Sequence, residues 1–251
     1  DSANLFGWVR FYKAALAQGV QPICGIDCWI TNPDDRDRPY RLLLLAANAR
    51  GYRNLCELIS RGWLENEHRG RGELLPQWLE GDATAGIIAL SGAAAGEVGH
   101  WLLAGNRGRA EAAARRLAEC FPAAFYLEVQ RHDAEDSETC TRETARLAAR
   151  LDLPLVATHP IQFIRKEDFR AHEARVCIAE GEILANPRRV RRFSPDQYFL
   201  TREEMSERFA DLPQALANSV EIARRCAFAM TLGESRLPEF PTPAGVGVDQ
   251  H

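Results

Sequence analysis

Residues 153–181 (LPLVATHPIQFIRKEDFRAHEARVCIAEG) pass from an apolar β pattern through a turn into a long helical pattern. In a β-then-α unit of a parallel sheet, ligands gather at the carboxyl ends of the strands, so Thr158, His159, Pro160 and Gln162 stand where reactive groups belong. His132, followed by Asp133, closes a second β pattern in the same way. His, Asp and Glu converging from several strand ends would make a hydrolytic metal site, although a strand-end His can equally sit in water. Pro160 follows His159 where a second acid would be useful. His172, in the helical pattern beyond Asp168, reads as solvated or locally paired, and neither His68 nor His100 suggests a site.

Other chemistries find less support. No Gly-x-Ser-x-Gly elbow, Walker phosphate loop or Gly-x-Gly-x-x-Gly turn is present. The run from Gly92 to Gly96 (GAAAG) follows a β pattern and could cradle a phosphate or permit close helix packing. Arg188, Arg189, Arg191 and Arg192 could touch a nucleic-acid backbone, or form a solvated basic loop paired with nearby acids. Cys24 and Cys28 share one strand face with no second Cys pair near them, so a structural zinc is not expected.

The elements that must position these residues alternate. Residues 6–18 read as a helix stopped by Gly19, and residues 22–30 and 41–47 as short buried strands about a polar turn at 32–39. Residues 51–63 read as a helix, 65–72 as an exposed charged loop and 85–91 as a strand. Two short helices at 97–103 and 109–120 lead to a strand at 125–131 and a helix at 137–151. This order predicts a parallel sheet with helices around it. Residues 181–199 read as irregular and basic, Thr201 with Glu204 as a capping box, and Asp211 as the cap of a helix with Leu216, Val220 and Ala223 inward. Residues 233–251 are rich in Pro and Gly and read as a linker.

A chain of 251 residues with 46% hydrophobic and 26% charged residues suits a globular α/β protein with a sizeable core. A net charge of −4 excludes a basic DNA-coating module, and no apolar run of about 18 residues provides a membrane span. Seven scattered cysteines read as reduced thiols in a cytoplasmic protein. The opening DSANLFG reads like the middle of a βα turn, so an upstream strand is expected before Asp1.

Several phrases taken in order carry a resemblance over essentially the whole chain: DSANLFGWVRFY, PICGID, LAANARGYRNL, YLEVQR, LVATH, SPDQY, LPQALANSVEIARRC and LPEFPTP. Together they resemble the polymerase-and-histidinol-phosphatase (PHP) domain in the amino-terminal part of bacterial replicative DNA polymerase III alpha subunits. The resemblance implies a distorted, TIM-like, seven-stranded α/β barrel of parallel strands over residues 1–232, lacking its first strand, then a linker at 233–251 toward the polymerase palm. Active relatives bind several metal ions in the cleft at the carboxyl ends of the strands. The missing strand would carry a His-x-His pair, and the catalytic aspartates and Mg²⁺ of nucleotidyl transfer would lie beyond His251.

Carried over residue by residue, most of the metal pattern fails. Asp1, Asp27 and His132 match ligand positions, whereas Ser2, Arg41, Pro160 and Gln162 stand where ligands are expected. A guanidinium stays protonated and cannot ligate, and a metal cluster needs about four to six donors per ion. Arg41 would then replace a cation by pairing with Asp27 or Asp1. The resemblance thus implies no catalytic residue and no cofactor in this chain. It points to a docking platform for the proofreading exonuclease subunit within the polymerase III holoenzyme, with DNA contacted through the parent chain. A residual metal-dependent phosphoesterase or exonuclease is the alternative.

Overall fold

Alternation in the first two strands sets the frame. In β1 (Gly25–Ile30) and β2 (Tyr40–Ala46) every second residue is buried, which directs Ile26, Cys28, Leu42 and Leu44 to one face and Asp27, Arg41, Leu43 and Leu45 to the other. The structure, a computed structural model, describes residues 2–134 and 136–234. The first face is covered by α1 (Trp8–Ala17), α2 (Ala49–Glu65), α3 (Glu97–Leu103), α4 (Arg107–Cys120) and α5 (Ser137–Leu151), which bury the main core against it. Each fully buried Leu or Ile there contributes about 1.5–3 kcal/mol.

The remaining strands are β3 (Glu67–His68), β4 (Arg71–Leu74), β5 (Ile87–Leu90), β6 (Phe125–Gln130) and β7 (Leu155–Thr158), in the spatial order β3-β4-β1-β2-β5-β6-β7. The sheet is mixed, which corrects the expected all-parallel order, and its strands do not close into a barrel among the described residues. β1 pairs antiparallel with β2, and β2 with β5, while β5, β6 and β7 run parallel. The reason lies in residues 31–39, a connection long enough for a hairpin and too short for the crossover of roughly a dozen or more residues that a parallel pair needs. The expected exposed loop at 65–72 is instead a tight hairpin, turned by Arg69 and Gly70 at φ 51° and 76°.

α6 (Phe169–Glu180) follows β7, and an irregular stretch leads to α7 (Arg202–Arg208) and α8 (Pro213–Arg225). The Thr201–Glu204 capping box forms as expected. Asp211 does not cap α8, whose first turn is set by Leu212 and Pro213. Its carboxylate is bound by Arg131 instead. Ala215 and Ile222 are the buried residues of α8, and Leu216 packs against the core as expected, whereas Val220 is exposed. α8 covers the second face through Ile222, with Cys226 just beyond its end, against Ile88, Leu90, Tyr126 and Val156. Asn218 on α8 donates to the Leu155 carbonyl on the outer strand. The linker expected over 233–251 lies outside the described residues from 235 onward.

Candidate site at the carboxyl end of the sheet

Because β2 runs opposite to β1, Arg41 near its start lies at the end of the sheet where β5, β6 and β7 finish. The register pairs Trp29 with Arg41, Leu43 with Leu90, Leu90 with Tyr126 and Gln130 with Thr158. Asp27, Arg41, Glu128, Gln130 and Thr158 therefore share one face and one end.

Glu128 is the centre of this group and is 1% exposed. Its Oε2 accepts from the Gly92 N–H at 3.0 Å and lies 3.6 Å from Arg41 Nη1. Its Oε1 accepts from the Thr158 hydroxyl at 2.5 Å and from Gln130 Nε2 at 3.0 Å. The Glu128 N–H donates to Ser91 Oγ. A carboxylate taken out of water needs such partners, and both oxygens here have them.

Arg41 connects this buried acid to the cleft. Its Nε donates to Asp27 Oδ1 at 2.5 Å, with the Arg41 side chain 21% exposed and that of Asp27 39% exposed. Burial opposes the guanidinium charge, but the carboxylates of Glu128 and Asp27 outweigh it and hold the Arg41 pKa above its ordinary value. Asp27 therefore already holds a cation from the protein. Among the described residues no three His, Cys, Asp or Glu side chains gather as a metal ion would require. At this end the carboxylates of Asp27 and Glu128 are both engaged by Arg41.

The small residues from Gly92 to Gly96 make room for the main chain of Arg41. Gly92 is left-handed at φ 81°, and a Cβ on it would stand 2.2 Å from the Arg41 carbonyl oxygen. A Cβ on Gly96 would stand 1.7 Å from that of Ser91. The Gly92 N–H is spent on Glu128, so close packing explains this run and a phosphate cradle does not.

The other described positions make contacts of their own. Ser2 bridges Asp27 through the backbone, and the Ala3 N–H donates to the Asp27 carbonyl. Asp1 lies outside the described residues. His132 follows β6, donates its N–H to Ser137 Oγ and accepts from the Ala134 N–H at Nδ1. Burial lowers its pKa, against the pull of Asp196 and Asp133. His159 holds the Asp196 carbonyl through Nε2, while its buried Nδ1 has no partner among the described residues. The Pro160 carbonyl accepts from the Gln197 side chain, and the Gln162 N–H donates to the Gln197 carbonyl, so both are tied through their backbones. His172 is not solvated and has no ion pair among the described residues: it is buried between Phe163 and Phe193.

The four arginines separate. Arg189 forms a buried pair with Glu173 and Arg192 pairs with Glu180, whereas Arg188 and Arg191 are exposed with no ion pair among the described residues. Sequence reasoning missed Glu128, Gln130 and Ser91. The available signal was an acid in the middle of the apolar run FYLEVQ, because a charge buried in a strand must be answered by partners.

Comparison with known proteins identifies the family. The PHP domain family model matches residues 1–132. The chain is 48% identical over 251 residues to the DNA polymerase III subunit alpha of Pseudomonas aeruginosa, covering 100% of this chain and 21% of that protein. It is 48% identical over 253 residues to the subunit of Neisseria meningitidis serogroup A, covering 100% and 22%. For the subunit of Escherichia coli K12 the identity is 42% over 246 residues, covering 96% and 21%. The chain thus spans about a fifth of the length of these relatives. With its match over residues 1–132 and its α/β sheet, the chain belongs to the PHP domain family.

Proposed function

We propose that residues 1–232 are the PHP domain of a replicative DNA polymerase III alpha subunit in the bacterial cytoplasm. The domain performs no chemistry of its own and serves as a structural module and docking platform for the proofreading exonuclease subunit of the holoenzyme. The observation that carries this reading is the Arg41 guanidinium on Asp27 with buried Glu128 beyond it. A permanent cation there does what a metal would do for the acids, without activating water. On this reading Asp1, Asp27 and His132 are vestiges of a ligand set whose other members are lost at Ser2, Arg41, Pro160 and Gln162. Nucleotidyl transfer to DNA, with its Mg²⁺, belongs to other parts of the longer protein.

Metal analysis combined with a phosphatase assay on the full-length protein tests the site, and capture of the exonuclease subunit tests the docking. The expected results are no stoichiometric metal, no turnover, and binding. The Arg41→His variant should gain no metal. Tight metal binding by the unmodified protein, or an intact protein that does not capture the subunit, overturns the corresponding half of the reading. A residual metal-dependent phosphoesterase is the second reading, favoured by the exposure of the Asp27 carboxylate. It requires turnover that disappears in His132→Ala.

A further inference from the structure

The segment from β7 to α7 differs in surface chemistry from the rest of the molecule. Seven of the sixteen exposed large hydrophobic side chains among the described residues fall within residues 161–199, including Ile161, Ile164, Ile178, Ile183, Val190 and Phe199. The same stretch holds eight Lys and Arg against six Asp and Glu, in a chain whose net charge is −4. Only Arg189 and Arg192 of those eight have ion pairs among the described residues. Six cations, among them Arg175, Arg188 and Arg191, therefore have no ion pair among the described residues and share this stretch with the exposed apolar groups.

Direct contacts bring parts of this surface together. The Arg189–Glu173 pair and the contact of Phe193 with His172 at 4.9 Å hold the irregular strip on α6, and Arg188, Val190 and Arg191 are left exposed. On α6 itself Arg175 and Ile178, three residues apart, are exposed on one side. The Phe199 N–H donates to the Ile164 carbonyl at 3.3 Å, which sets these two exposed residues side by side.

We propose that this lobe docks an acidic, apolar peptide segment of a partner protein, with Asp or Glu interleaved with Leu, Ile or Phe. The inference deepens the docking reading above and rests on it. Unpaired guanidiniums on an otherwise acidic chain call for carboxylates, and exposed isoleucines call for apolar side chains. A nucleic-acid backbone would satisfy the first and leave the second in water.

The test selects a random peptide library displayed on phage against the full-length protein. Enriched sequences should combine acids with large apolar residues. They should bind about tenfold or more weakly to Arg188→Glu/Arg191→Glu and to Ile178→Ser/Val190→Ser. All four positions are exposed, so an unchanged melting temperature certifies both variants. The inference is overturned if no such sequences enrich, or if enriched peptides bind both variants as well as wild type. It is also overturned if a single-stranded oligonucleotide binds through Arg188 and Arg191 while no peptide does. Capture of the exonuclease subunit is a separate measurement, so failure of that partner leaves the peptide result standing, and the reverse.

Discussion

Loss of the Arg41 guanidinium would strip Asp27 of its hydrogen bond and Glu128 of its nearest cation, and the two acids should respond unequally. Arg41 is closer to Asp27, at 2.5 Å against 3.6 Å for Glu128, yet Asp27 is 39% exposed and Glu128 is 1% exposed. Water screens the first pair to about 1 kcal/mol or less, while a buried carboxylate that loses its cation costs about 3 kcal/mol or more. Double-mutant cycles of Arg41→Met with Asp27→Asn and with Glu128→Gln, read by denaturant unfolding, should give the larger coupling for Glu128 despite the longer distance. A larger Asp27 coupling would show that contact distance rather than burial governs the pair. The sequence pointed to Asp27 and Arg41 because each stood at a recognisable position, and Arg41 does pair with Asp27. It did not point to Glu128, because one acid in an apolar strand reads as alternation until the neighbouring strands are known to bury both faces.

At the scale of elements, the end of β6 is fastened to α7 and α8 by two arginines that bond each other's carbonyl groups. Arg131 donates to the Arg208 carbonyl at 2.7 Å, and Arg208 to the Arg131 carbonyl at 3.0 Å. Arg208 also grips Asp196 with two bonds, at 2.6 and 2.9 Å, and Arg131 holds Asp211 and Glu138. Arg208→Ala removes a mostly buried pair and should cost about 3 kcal/mol. Asp211→Ala, at an exposed carboxylate, should cost about 1 kcal/mol or less. Hydrogen exchange should quicken in α7 and α8 in the first variant while the β1–β2 amides keep their protection, and a uniform loss would mean that the clip is not local. Most elements were legible before the structure, since short apolar runs and the Thr201–Glu204 box announce themselves locally. The direction of β2 was not read, although the brevity of residues 31–39 carried it. The misread Asp211 shows the same limit: an acid before a helix can cap it or serve a distant arginine, and only the tertiary fold brings Arg131 within reach.

The whole molecule should be sensitive to mild acid. Burial lowers the pKa of His132, His159 and His172, so the folded protein keeps these imidazoles neutral at pH values where the unfolded chain protonates them. Above the ordinary histidine value of about 6.5 neither state binds these protons and stability does not depend on them. As pH falls below that value the unfolded state takes up more protons, and stability drops by up to about 1.4 kcal/mol per pH unit for each histidine until its lowered pKa is passed. A further loss should begin near pH 4, where the aspartates of the unfolded chain take up protons while Asp196 and Asp211, held low by Arg208 and Arg131, stay ionised in the folded protein. His172 offers the cleanest dissection, since it packs on Phe163 and Phe193 and its buried Nε2 has no partner among the described residues. His172→Phe keeps a ring in an aromatic nest and removes both the orphan nitrogen and one titrating group. Unfolding free energies measured from pH 7.5 to 5 should fall less steeply in this variant than in wild type. Parallel curves would assign the acid sensitivity to His132 and His159 beside Asp196, the pair at the carboxyl end of the sheet.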